Sequence, residues 1–223
     1  MIEKLKSNGR LELSVLLTAM TLFCFALSAF RFFLTDSKLF LFLNWNLFLA
    51  FIPWLTSSMV VLHPNLQNRK LILIGLLGVW ILFFPNSPYI LTDLFHLRLT
   101  TSAPIWYDLV LILSFAWTGL IYGFVSLLDV RALLIKQFGK NISGVITVFL
   151  LFAGGFGVYL GRFLRWNSWD ILQEPAPLLH DIGSRVIHPM AYPKTWAVTI
   201  LMGILLNIMF WSINMIRGAY QRA

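Results

Sequence analysis

The chain has 223 residues, of which 59% are hydrophobic and only 12% charged, with a formal net charge of +8. Ordinary soluble domains are about 45–50% apolar and about 25% charged, so a soluble globular fold is excluded, because so apolar a chain could not cover its own core. The positive charge is scattered through short segments between apolar runs. That is the Lys/Arg bias of membrane-protein loops and leaves no basic domain for a nucleic-acid partner.

In chain order, Lys4, Lys6 and Arg10 precede a first apolar run over about 13–34. The charge order resembles a signal peptide, with Ala26-Leu27-Ser28 as a weak cleavage site. The run exceeds the roughly 7–15 residues of a signal-peptide core, so a retained helix is expected, with Arg31 snorkelling to the headgroups. Further runs cover about 39–62 (carrying Asn44, Asn46 and Pro53), 71–92, 105–128, 144–164 and 196–216. Each can cross a hydrocarbon layer of about 30 Å. A basic link with Arg131, Lys136 and Lys140 separates the fourth run from the fifth. The expected fold is all-α, a polytopic bundle of about six transmembrane helices forming one integral membrane domain over 1–223. Between the last two runs, 178–188 reads as an interfacial helix. Its wheel puts Leu178, Leu179, Ile182 and Val186 on one side, and His180, Asp181, Ser184, Arg185 and His188 on the other. Cys24 is the single cysteine, so no intrachain disulfide can form.

An even number of spans places both termini on one side. With the N-terminus inside, cytoplasmic segments hold ten basic residues against the three acids Glu3, Glu12 and Asp129. The opposite face holds seven basic residues and six acids. The bias favours N-in, C-in. Ten candidate ligand-binding residues then converge on the extracytoplasmic layer, namely Asn46, Asn86, Tyr89, Asp93, Tyr107, Asp108, Arg162, Arg165, Asn167 and Asp170. The inner halves look bland.

The stretch from Phe83 to Leu94 is the centre of this layer in the sequence. Pro85 and Pro88 lack backbone donors and should free carbonyls around 81–84. Such a break must face protein or a watery cavity, as broken helices do around transporter sites. The plainer reading is a helix that simply ends there. Arg162 and Arg165, three residues apart, fall on neighbouring positions of one helical face. They read either as interfacial anchors and ion-pair partners or as a fork for phosphate or carboxylate. Gly157-xxx-Gly161 has the spacing of a close helix contact, with Gly119-xxx-Gly123 as a possible partner. Asp93 and Asp108 are the candidate catalytic acids or bases. Asp93-xx-His96 has a feasible metal spacing, yet no tight metal signature, phosphate loop or dinucleotide fingerprint occurs, so neither metal nor cofactor is expected.

Asn46-Leu47-Phe48-Leu49-Ala50-Phe51-Ile52-Pro53, Phe83 to Leu94, Trp106-Tyr107-Asp108 through Gly119, and Gly155 through Arg162 to Asp170 resemble an uncharacterised bacterial multi-pass membrane family, a domain of unknown function. The resemblance spans about 44–170 and is most specific in Arg162-Phe163-Leu164-Arg165-Trp166-Asn167-Ser168-Trp169-Asp170. It implies a bacterial plasma (inner) membrane setting and supplies no activity. The leading expectation is a protein that binds or transports an anionic or lipid-headgroup solute, with membrane lipid as its surroundings and a dimer as one way to frame a path. A membrane-embedded enzyme acting on a lipid-linked substrate at the outer leaflet is the alternative. An accessory subunit of a membrane assembly is a third reading.

Overall fold

A computed structural model describes residues 9–97 and 102–220, which are helical with no strand among them. Glu3, Lys4, Lys6 and Arg222, which enter the charge bias, lie outside the described residues, as do 98–101 of the link after the third run. Five helical segments are long and apolar enough to cross a membrane. They are α1 (Leu11–Thr35), α2 (Phe42–Leu62), the segment Lys70–His96, α6 (Ile105–Leu164) and α9 (Pro193–Tyr220). The segment Lys70–His96 consists of α4 (Lys70–Phe83), the single turn α5 (Asn86–Tyr89) and a 3-10 helix (Ile90–His96). Short helices α3 (Pro64–Gln67), α7 (Asp170–Gln173) and α8 (Pro175–Ile187) fill the links.

The fourth and fifth runs lie on either side of a kink in α6 at Gly139, where two helices meet. The basic link around Arg131, Lys136 and Lys140 is helical. Residues 131–137 are mostly Arg, Ala, Leu, Lys and Gln, all good helix formers. Only Gly139 leaves helical geometry, at φ 79° and ψ 171°, a conformation open to a residue with no Cβ.

The chain divides into two compact units, 1–130 and 131–223. In the first, α2 packs along α4, and Leu17, Cys24, Phe40, Leu43, Leu47, Ile90, Leu111 and Phe115 belong to the buried core. The break at Pro85 is milder than the sequence suggests. Phe84, Pro85, Tyr89 and Ile90 all keep right-handed helical angles. The Asn86 side-chain amide donates to the Phe83 carbonyl at 2.9 Å, and the Ser87 hydroxyl donates to Ala50 O at 3.4 Å. The Asn86 side chain thus serves one carbonyl at the break and the Ser87 backbone N–H donates to Phe84 O at 3.1 Å, so the chain tightens instead of unwinding.

Gly119 and Gly123 have a role within the first unit. They make room for this turn: a Cβ at Gly123 would lie 2.6 Å from Ser87 Cβ, and one at Gly119 would lie 2.7 Å from Ile90 Cδ1 and 3.1 Å from Ser87 O. In the second unit Gly155 brings α6 against α9, where a Cβ would stand 2.9 Å from Thr199 O and 3.0 Å from Gly203 N. Those are backbone atoms, which cannot swing aside. Gly155→Ala should therefore destabilise by about 1–3 kcal/mol through overpacking. Gly75→Ala, with nothing within 4 Å, should stabilise by up to about 1 kcal/mol through helix propensity. Melting temperatures of the purified variants in detergent should move in opposite directions.

Candidate functional site

In the first unit the ionisable groups gather at two places. At one, Asp108 is fully buried and accepts from Arg31 Nε at 2.6 Å and Nη2 at 3.2 Å. Arg31 is itself 2% exposed and lies over the Phe40 ring at 4.7 Å. The expected snorkelling of Arg31 is thus overturned. A lone carboxylate buried at Asp108 would cost several kcal/mol, roughly 3–5 by analogy with broken buried pairs, and α1 supplies the counter-charge. Arg31 Nη1 is buried and has no hydrogen-bond partner.

Asp93 is also fully buried. It accepts from the Asn46 amide at 2.9 Å, and its other oxygen lies 3.7 Å from His96 Nδ1. His96 packs on Phe42, and Phe42 on Phe40, which carries Arg31. An aromatic chain therefore joins the two aspartates' surroundings. Nearby, Tyr107 OH donates to Leu27 O at 2.8 Å, and the Asn44 amide donates to Ser28 Oγ at 2.9 Å. Asn46, Asp93, Tyr107 and Asp108 are thus brought into one layer of the first unit. Asn86 serves the turn described above, and half-buried Tyr89 closes it.

The second place was missed entirely, because that half of the unit looked bland. Arg10 grips Asp129 with both terminal nitrogens, at 2.8 and 2.9 Å. Arg10 Nη2 also donates to Ser58 Oγ at 3.0 Å, and Ser57 Oγ donates to Asp129 at 2.8 Å. A signal existed in the sequence. Arg10 and Arg31 are 21 positions apart, as are Asp108 and Asp129. Twenty-one residues are three heptads, which keep one seam facing a partner helix.

The remaining candidates belong to the second unit, where two expectations need correction. Arg162 and Arg165 do not share a helical face, because α6 ends at Leu164 and Arg165 turns left-handed at φ 65° and is exposed. The turn lets Trp166 N–H reach back to Leu160 O at 3.2 Å and close the helix end. Arg162 is partly buried. Asn167 and Asp170 are spent on each other, with backbone N–H and side-chain amide of Asn167 donating to Asp170 Oδ2 at 2.6 and 3.2 Å.

The surface helix α8 is rotated from the expected wheel. Leu178 and Arg185 point inward, while Leu179, Val186 and Ile187 are exposed. The cause is a polar buckle. Arg185 donates to Asp181 at 2.9 Å and stacks on Tyr192 at 4.8 Å, Trp166 Nε1 donates to Asp181 at 2.8 Å, and Trp196 Nε1 donates to Arg185 O. Burial pushes the Asp181 carboxyl up, but the hydrogen bonds from Trp166 and Arg185 and the Arg185 charge outweigh it and hold the carboxyl below its ordinary value. The folded pKa lies below the unfolded one, so the buckle stabilises above the unfolded value and fades as pH falls through the folded one.

This fold, with the Arg31–Asp108 pair buried among apolar spans, defines a helical membrane protein of the multi-pass kind. The chain belongs to the family described as "Protein of unknown function (DUF1361)", which matches residues 45–209. No curated protein and no solved structure matches the chain. Arg10 and helix α1, which carries Arg31, precede the matched residues.

Two predictions follow from the second unit. Asp181→Asn should lower the melting temperature at pH 7, with the difference closing as pH falls below about 4; a pH series of melts in detergent reads this. Arg165→Gly should relieve about 1–2 kcal/mol of left-handed strain and raise the melting temperature, provided the guanidinium makes no contact that stabilises the fold.

Proposed function

We propose that this is a binding or transport protein of a bacterial plasma membrane, oriented with both termini inside, whose outward-facing polar site takes an anionic group. One observation carries the reading. Arg31 is buried with Nη1 unpartnered beside fully buried Asp108, so its planar fork has donors left for phosphate or carboxylate oxygens. Asn46 adds an amide in the same layer. An intramembrane ionisable residue is a functional candidate on cost alone. The anion's source is either a lipid headgroup or a free solute.

A second reading rests on Asp93 and His96, 3.7 Å apart, which suit acid–base work on a lipid-linked substrate. Loss of product from labelled lipid in Asp93→Asn, with the fold intact, would support it.

The binding reading is tested by thermal shift of the purified protein with inorganic phosphate, glycerol phosphate and phosphatidylglycerol micelles. At least one should stabilise the wild type, and lipid alone doing so assigns the headgroup. Arg31→Ala by itself should cost about 3–5 kcal/mol by stranding Asp108. The neutral double variant Arg31→Gln/Asp108→Asn should fold yet lose the shift. An undiminished shift in that double variant would sink the reading.

A further inference from the structure

The two Arg–Asp pairs sit at opposite ends of one seam between α1 and the first part of α6. At about 1.5 Å per residue, the 21 positions between them span about 31 Å, the thickness of a hydrocarbon layer. The helices run antiparallel, since Arg31 meets Asp108 and Arg10 meets Asp129. Between the pairs the seam is crossed by polar contacts. Thr21 shares a hydrogen bond with Tyr122 OH at 2.8 Å, and Cys24 Sγ lies 3.3 Å from Thr118 Oγ1. A groove of about 260 Å³ opens beside the midpoint, chiefly between α1 and α2; its wall is mainly apolar, with Leu22, Phe25, Leu47 and Phe51 against Thr21 and Tyr122.

A permanent polar staple would be expected to satisfy its donors, because buried groups left unpaired are costly. Among the described residues, both guanidiniums of this seam keep one buried nitrogen without a partner, Arg31 Nη1 and Arg10 Nε. Buried ion pairs are also weak stabilisers, best attested where they fix register or act as a switch. Helix α1 thus has hydrogen-bonding capacity that its closed arrangement does not use.

We propose that the α1–α6 seam is a solute route with a gate at each end, Arg31–Asp108 and Arg10–Asp129. The solute is a small oxyanion whose oxygens displace the aspartate from the guanidinium. One gate parts while the other pair holds the register, so the route opens to one face at a time. The solute class rests on the binding reading above; the gates rest on the seam.

Cys24 reports on the gates directly. It is the sole cysteine and is fully buried midway along the seam. In proteoliposomes, a membrane-impermeant maleimide is supplied from outside or from within, and labelling of Cys24 is followed by mass. Wild type should label slowly from both faces. Asp108→Asn should speed labelling from one face and Asp129→Asn from the other, each at least about tenfold, since removing one partner of a buried pair is strongly destabilising. The exchange Arg31→Asp/Asp108→Arg should restore protection, which separates gating from misfolding. Wild-type rates in both single variants, or equal entry from both faces in each, would overturn the proposal. Inorganic phosphate should speed wild-type labelling from one face. Opposite-face gating without that response keeps the gates and discards the oxyanion.

Discussion

A carboxylate in the apolar interior of a membrane protein needs a counter-charge close enough to offset its lost hydration. In the first unit this requirement arises at two places on the first part of α6, at fully buried Asp108 and at partly buried Asp129. Arg31 of α1 and Arg10 just before it answer both. Much else in that unit is consistent with these two contacts. The antiparallel alignment of α1 with α6, the burial of Leu17 and Cys24 between them, and the seating of Phe40 under the Arg31 guanidinium all need this one register. The family match begins at residue 45, so the arginines come from outside it while the aspartates lie inside. Arg10 and α1 thus supply the counter-charges for both aspartates.

Close approach is the second organising constraint, and each unit handles it with small residues. Gly119 and Gly123 let the Pro85–Pro88 turn press Ser87 and Ile90 onto α6, and Gly155 lets α6 meet the α9 backbone. Helices in lipid associate through such packing because lipid tails are as apolar as leucine and offer no hydrophobic drive. The turn itself stays helical because Asn86 and Ser87 supply local and cross-helix hydrogen bonds. Polar residues that a sequence reading assigns to a ligand can have this more modest task. Asn86, Asn167 and Asp170 all have identified local partners.

The helical, membrane-spanning nature of the chain was legible from composition and run length, and the boundaries of α1, α2 and α9 fall close to the apolar runs. Asp93, Asp108 and Asn46 were also legible as one layer, because charge and topology alone brought them together. Partner choice was not legible. Arg31 near a helix end reads as a snorkelling anchor unless the carboxylate opposite is known to be buried, and that depends on packing between residues 77 positions apart. Arg165 read as helical because a sequence pattern does not reveal a left-handed residue without glycine at that position. The rotation of α8 was hidden for a related reason. Apolar moment alone turns Arg185 outward, whereas Asp181, Tyr192 and Trp196 together draw it in.

The matched spacing of the two ion pairs also acts as a ruler. Sliding α1 by one turn would carry both arginines about 5.4 Å past their aspartates and strand two charges at once, so the helix pair cannot adjust its length by slippage. Bilayers differ in hydrocarbon thickness by several Å, and spanning helices meet the difference by tilting, kinking or deforming the lipid. With slippage forbidden, α1 and the first part of α6 must tilt as one body or bend the bilayer around them. Membrane thickness thereby becomes a mechanical input to both ends of the seam together.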